Sequence, residues 1–204
     1  MMRLYRIPLS TNVERVAMAL AHKGIEVESI EIDPDDRSRV RSMSGQDLVP
    51  VLEDDGKVIA DSMEIVRYLE DRHPARPLYP TDPARRTEML IFIDWFNRVW
   101  KRPPNEIFVE MGKPAPDRAR IERLGKAMTA SLDLFEGMLS GRDYLMGEFS
   151  AADCAAFPFV KFAHFHPQGD PYLFHQILVE WMPLAGRHER LKGWLQRVDK
   201  HPRA

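Results

Sequence analysis

The chain carries a single cysteine, Cys154, among 204 residues. That excludes an internal disulfide, a Cys-x-x-Cys redox pair and a cysteine-rich zinc site. No apolar run approaches the ~20 residues that a membrane-spanning helix needs. The opening MMRLYRIPLS has no apolar segment of the length a secretory signal uses. Neither sign of charge is in excess, since 29 basic and 31 acidic residues leave a net charge of −2. Bulk electrostatics therefore give no case for binding nucleic acid or an anionic membrane. His164 and His166 are two apart, so on a helix they point to different sides, whereas metal pairs sit at i, i+4. No metal site is expected, and no repeat or low-complexity segment appears. What is there is ordinary globular composition, 44% hydrophobic and 29% charged, in a chain long enough for two modest domains. The expectation is a cytoplasmic protein.

The most informative stretch is 43–70, MSGQDLVPVLEDDGKVIADSMEIVRYLE. Val49-Pro50-Val51-Leu52 reads as a strand, Asp55-Gly56 as a hairpin turn and Lys57-Val58-Ile59-Ala60 as the returning strand. Asp61-Ser62 then leads directly into a helix with Met63, Ile65, Val66 and Leu69 on its apolar side. A strand that delivers a short polar pair to a helix start makes an anion pocket, because first-turn N–H groups lack intrahelical partners. Pro50 at a strand start removes one ladder donor.

Before that stretch, residues 2–7 alternate like a half-buried strand and Pro8 stops it. A helix follows with Val13, Val16, Ala17, Leu20 and Ala21 on one stripe, closed by His22-Lys23-Gly24. Residues 25–32 form a second strand whose skipped beat near Ser29 means a bulge or a late start. Residues 33–45 are charged and hold a short helix or turn. Strand, helix, strand, hairpin, helix implies a parallel crossover joined to antiparallel strands, a small mixed sheet covered by helices. Four prolines in 73–83 mark a linker, and beyond it helices are expected over 84–101, 117–139, 151–165, 172–182 and 187–199. The domains are therefore 1–75 and 85–204, with 76–84 between them.

These landmarks resemble the cytosolic glutathione transferase superfamily. LVPVLEDDGKVIADSMEIVRYLEDRHP resembles its glutathione-binding centre, GEFSAADCAAFPF at 147–159 its capping motif, and RLKGWLQRVDKHP its last core helix. In the capping motif Ser150 and Asp153 are spaced as Ncap and N3, with Phe149 at N′. The resemblance implies an α/β thioredoxin-like N-terminal domain followed by an all-α C-terminal domain. It also implies that glutathione or an analogous thiol is the cosubstrate, that no cofactor is covalently bound, and that an apolar electrophile is the second substrate. Carried over residue by residue, Val49 and Pro50 fall where the family's backbone pairs with the cysteinyl part. Asp61 and Ser62 fall where it holds the γ-glutamyl end, although the family more often has Glu or Gln at the position of Asp61. The family usually dimerises, so a homodimer is implied, with Arg67 and its helix neighbours as a possible partner face beside the alternative of a solvated surface. Detoxification is the implied role.

The implied reaction needs a thiolate. A free cysteinyl thiol has a pKa of ~8.5, and lowering it by about two units requires ~2.7 kcal/mol of thiolate stabilisation. A hydroxyl donor together with a helix N-terminus supplies an effect of that size. The theta-, delta- and zeta-like classes use a serine for this, which selects Ser10, with Thr11 as substitute and Asn12 as helper. Tyr5 lies within the strand. Against this, Thr11 with Glu14 and Asp61 with Glu64 each read as a plain capping box. Trp95, Phe96, Trp100 and Phe108 are core by period, and Cys154 is a small core residue. One side of the helix at 84–101 lines the electrophile pocket in the family, which nominates Arg98, Trp100 and Arg102.

Two rival readings share the fold. One is a binding protein that holds a thiol peptide or apolar ligand without turnover. The other keeps catalysis with a different low-mass thiol of the kind some bacteria use, consistent with 21 arginines against 8 lysines and with the shorter Asp61. A disulfide reductase is disfavoured because no cysteine precedes position 154.

Overall fold

A computed structural model describes residues 1–204. The chain divides into two compact units, Met1–Pro80 with Lys200–Ala204, and Thr81–Asp199. The last five residues, grouped with the helical half by sequence, join the first unit instead. There the Ala204 N–H donates to the Ala17 carbonyl at 3.1 Å, and Arg203 Nη2 pairs with Glu14 Oε1 at 3.1 Å.

The first unit runs β1 (Arg3–Arg6), α1 (Thr11–Lys23), β2 (Glu28–Glu31), α2 (Ser38–Ser44), β3 (Val51–Asp54), β4 (Lys57–Ala60) and α3 (Ser62–Arg72). Its sheet has the order β2-β1-β3-β4, with β1 and β2 parallel and the other pairs antiparallel. This is the mixed sheet the sequence implies, and β2 takes the late-start option. Side chains alternate across the pleat. Leu4 opposes Leu52, both fully buried. Their neighbours Tyr5 and Val51 join Ile7, Val13, Val40 and Val49 in a cluster on the opposite face. Burying each such aliphatic side chain contributes about 1.5–3 kcal/mol. Helices α1 and α3 pack together. Their buried residues Val16, Leu20, Ile65, Val66 and Leu69 follow the apolar stripes of the sequence. At the hairpin tip Asp55 and Gly56 both take positive φ, 47° and 84°, the geometry that matches strand twist.

One buried ion pair ties α1 to the segment after α3. Lys23 Nζ lies 2.6 Å from Glu70 Oε2 and donates to the His73 carbonyl at 2.8 Å. Glu70 in turn accepts from the backbone N–H groups of Leu78 and Tyr79.

The second unit is helical: α4 (Pro83–Trp95), a π-helical turn at Phe96–Trp100, α5 (Arg102–Met111), α6 (Arg118–Met138), α7 (Ala151–Val160), α8 (Leu173–Trp181) and α9 (Glu189–Asp199). The helical spacing predicts a helix ending at 101 and none over 102–111. Pro103 and Pro104 in fact occupy the first turn of α5, where a missing N–H costs nothing. The expected helix at 151–165 becomes α7 followed by a 3₁₀ turn at Lys161–Ala163. All ten residues of α7 are buried, which makes it the central helix of the unit. Its start is the expected capping box. Asp153 is fully buried and accepts from Trp194 Nε1 (2.8 Å), Ser150 N (2.9 Å), Leu145 N (3.1 Å) and Ser150 Oγ (3.1 Å). Gly125 on α6 is required by close approach, since a Cβ there would stand 2.1 Å from the Trp181 ring. No helix is long and apolar enough to cross a membrane.

Candidate functional site

Three segments of the first unit carry the residues nominated for thiol binding. The chain turns out of β1 through Leu9, a non-glycine residue at φ 63° with its side chain exposed. That left-handed step sets Ser10 at the N-cap of α1, where its Oγ accepts from Val13 N at 3.4 Å. The cap is Ser10 and not the Thr11–Glu14 box, because Thr11 already has helical geometry and is buried. At 3.4 Å the cap bond is long, so the hydroxyl is only weakly committed to the backbone. Asn12 is half-buried in the first turn.

The second segment enters β3. The Val49–Pro50 bond is cis, and Leu48 just before it is exposed. Val49 belongs to the same buried cluster as Val13, which links the entry of β3 to the first turn of α1.

The third segment is the start of α3. Asp61 adopts φ 73°, ψ 127°, a conformation few non-glycine residues hold without strain. It caps α3 through Oδ1, which accepts from Met63 N at 2.8 Å and Glu64 N at 3.2 Å. Ser62 is 4% exposed, and its Oγ accepts from Arg15 Nη1 at 3.3 Å. Arg15, buried on α1, thus joins the helix that Ser10 caps to the helix that Asp61 caps. Sequence reading missed it. The available signal was an arginine directly before the apolar run Val16–Leu20, on a helix whose stripe is otherwise aliphatic. With Arg15 donating into its oxygen, the Ser62 hydroxyl keeps its own hydrogen to donate elsewhere.

Tyr5 stays with the sheet. Its hydroxyl donates to Glu53 Oε2 at 2.7 Å, and burial together with that carboxylate holds the phenol above its ordinary pKa. A phenol already given to a carboxylate is poorly suited to stabilise a thiolate.

The residues nominated for the electrophile fare differently. Trp100 is not a lining residue but a core one. It is 3% exposed, stacks on Phe96 at 4.5 Å and donates from Nε1 to Ser131 Oγ at 2.8 Å. Arg98 is exposed and pairs with Asp94 at 2.5 Å. Arg102 pairs with Glu106 and lines a cavity of about 400 Å³ shared with Glu110, Lys113 and Arg120. Such a charged wall does not suit an apolar ligand. Cys154 is buried, as its place in α7 requires.

Residues 4–77 match the family model for the glutathione S-transferase N-terminal domain, and residues 118–197 match the model for the C-terminal domain. Glutathione S-transferase GstB of Escherichia coli is 27% identical over 203 residues, covering 95% of this chain and 90% of its own length. Glutathione S-transferase 3 of Zea mays is 29% identical over 164 residues, covering 74% of this chain and 73% of its own. Among solved structures, the β-etherase LigF from Sphingobium superposes with a TM-score of 0.82 at 23% identity, covering 98% of this chain and 96% of that one. The glutathione-bound theta class transferase from Xanthomonas axonopodis pv. citri gives a TM-score of 0.75 at 24% identity, covering 98% and 93%. Two matching domain models in the family's order, on a mixed four-stranded sheet followed by a helical unit, make this chain a member of the cytosolic glutathione transferase superfamily and a glutathione transferase-like enzyme.

Proposed function

We propose that the first unit binds glutathione and that Ser10 donates a hydrogen bond to its sulfur, favouring the thiolate for attack on an apolar electrophile. The observation that carries this reading is the start of α3, where Asp61, on a strained backbone, caps the Met63 and Glu64 N–H groups beside a serine braced by a buried arginine. A γ-glutamyl end has one ammonium and one carboxylate. Asp61 complements the first, and the Ser62 hydroxyl with the helix N-terminus complements the second. The Val49 backbone is assigned to the cysteinyl amide, with Pro50 fixing that segment, and Thr11 and Asn12 support the Ser10 turn. Thiolate attack by substitution or conjugate addition then draws on positioning and a lowered thiol pKa. A cytoplasmic homodimer with a detoxifying role belongs to the same proposal. Exposed Leu90 and Ile91 on α4 and Leu134 on α6 favour self-association.

The test is calorimetric titration with glutathione, followed by turnover with 1-chloro-2,4-dinitrobenzene. Saturable binding and conjugation are expected. Binding without conjugation across a panel of electrophiles would replace the enzyme reading with a carrier. Asp61, shorter than the family's usual residue and already capping two N–H groups, favours a second reading in which another low-mass thiol binds more tightly than glutathione. Titration with that thiol class in parallel separates the two.

A further inference from the structure

The helical unit holds a cavity of about 240 Å³ built from the 3₁₀ turn after α7, the loop that follows and one side of α8. Its inner wall contains a buried histidine–carboxylate pair that thiol chemistry does not use. His175 Nδ1 lies 2.7 Å from Asp170 Oδ2, and both side chains are more than nine-tenths buried. An ionised carboxylate only accepts, so Nδ1 carries the hydrogen. The other Asp170 oxygen accepts from Tyr172 N at 3.0 Å, which fixes the carboxylate. The imidazole is stacked on Phe162 at 4.5 Å and 25°, with Tyr172 at its edge, so its plane is fixed as well. In the neutral ring Nε2 is left with a lone pair on a side chain that lines the cavity.

The rest of the lining decides the ligand class. Glu180, Gln176 and His166 stand at the exposed rim, and Pro167, Val179 and Phe162 supply apolar surface. No lysine or arginine lines the cavity. Lys161, adjacent in sequence, sits with Nζ 5.4 Å from the Phe162 ring centre and is not part of the wall. Two carboxylates and an imidazole acceptor around apolar surface repel an anion and complement a cation with several N–H donors. The volume is below the range usual for drug-sized ligands, which limits the occupant to about one ring and a short arm.

We propose that this cavity is a second ligand site, selective for a small monocyclic arylalkylamine in its ammonium form. The ammonium donates to Glu180 and to His175 Nε2, and the ring lies against Val179 and Pro167. Asp170 acts through His175 as a positioning residue. The site lies wholly within the second unit, so it does not depend on the assignment of Ser10, Asp61 or Ser62.

The test titrates the full chain with 2-phenylethylamine and, separately, with phenylacetate, its anionic counterpart of similar shape, reading backbone amide shifts by NMR. Saturable shifts confined to residues 161–180 are expected with the amine and none with phenylacetate. Glu180→Gln, at an exposed rim position that leaves packing untouched, should weaken the amine at least fivefold, and His175→Gln should weaken it further. Absence of saturable shifts, equal response to phenylacetate, or unchanged affinity in Glu180→Gln would each overturn the proposal.

Discussion

Arg15 on α1 donates from Nη1 to the Ser62 hydroxyl oxygen at 3.3 Å, a contact between two buried side chains on different helices. If Ser62 receives the γ-glutamyl carboxylate, Arg15 both orients that hydroxyl and adds positive potential behind it. Arg15→Lys keeps the charge but loses the planar fork. Glutathione affinity should fall about tenfold, or ~1.4 kcal/mol, in titration calorimetry. The KM for glutathione should rise while kcat changes little, because Arg15 does not reach the sulfur.

Ser10 has two duties that separate cleanly. Ser10→Ala removes the cap and should cost about 1 kcal/mol in denaturant unfolding. Ser10→Asp restores a capping acceptor, so stability should recover toward that of the parent. Both variants lose the donor to sulfur, and the carboxylate additionally repels a thiolate. Conjugation should therefore drop in both, with the bound thiol's pKa, read from thiolate absorbance, rising further in the aspartate variant. Conjugation that follows stability instead of donor capacity would assign Ser10 to capping alone.

Lys23 and Glu70 hold the segment after α3 against α1. Lys23→Met removes one member of a buried pair and leaves Glu70 to the Leu78 and Tyr79 amides alone. A loss of about 3–5 kcal/mol is expected. The denaturation midpoint should move accordingly, and the double variant with Glu70→Leu should recover part of the loss.

Asp153 gives the fold a pH signature. Burial pushes its pKa up from 3.8 to about 6, against the opposing pull of Trp194 and the N–H groups of Leu145 and Ser150. The native state therefore holds this proton to higher pH than the unfolded chain does. The associated stability is fully present below about pH 4 and is lost as pH rises through about 6, a change of a few kcal/mol. Asp153→Asn should remove that slope from the pH dependence of unfolding free energy between pH 4 and 6. Asp153→Ala, which strands the Trp194 and backbone donors, should destabilise at every pH.

Much of this was written in local sequence. Alternation in 2–7, the Asp55-Gly56 turn, the stripe from Val13 to Ala21 and the Ser150/Asp153 box are short-range patterns, and each reappears in the fold. What escaped needed either a terminal position or a long-range partner to be read. Pro103-Pro104 looks like a break until it is known to begin a helix. Trp100 has helical spacing compatible with a pocket or a core, and only Phe96 and Ser131 decide it. Arg15 is one arginine among 21 until Ser62, 47 residues later, closes on it.

The left-handed backbone at Asp61 sets folding and ligand capture against each other. Glycine tolerates φ 73° freely and costs only a few tenths of a kcal/mol as a cap, whereas a strained residue costs about 1–3 kcal/mol. Asp61→Gly should therefore melt no lower than the parent while losing most of its hold on an ammonium group. A library of variants sorted for expression or heat resistance would enrich this lesion, and only a screen that reads the ligand would reject it.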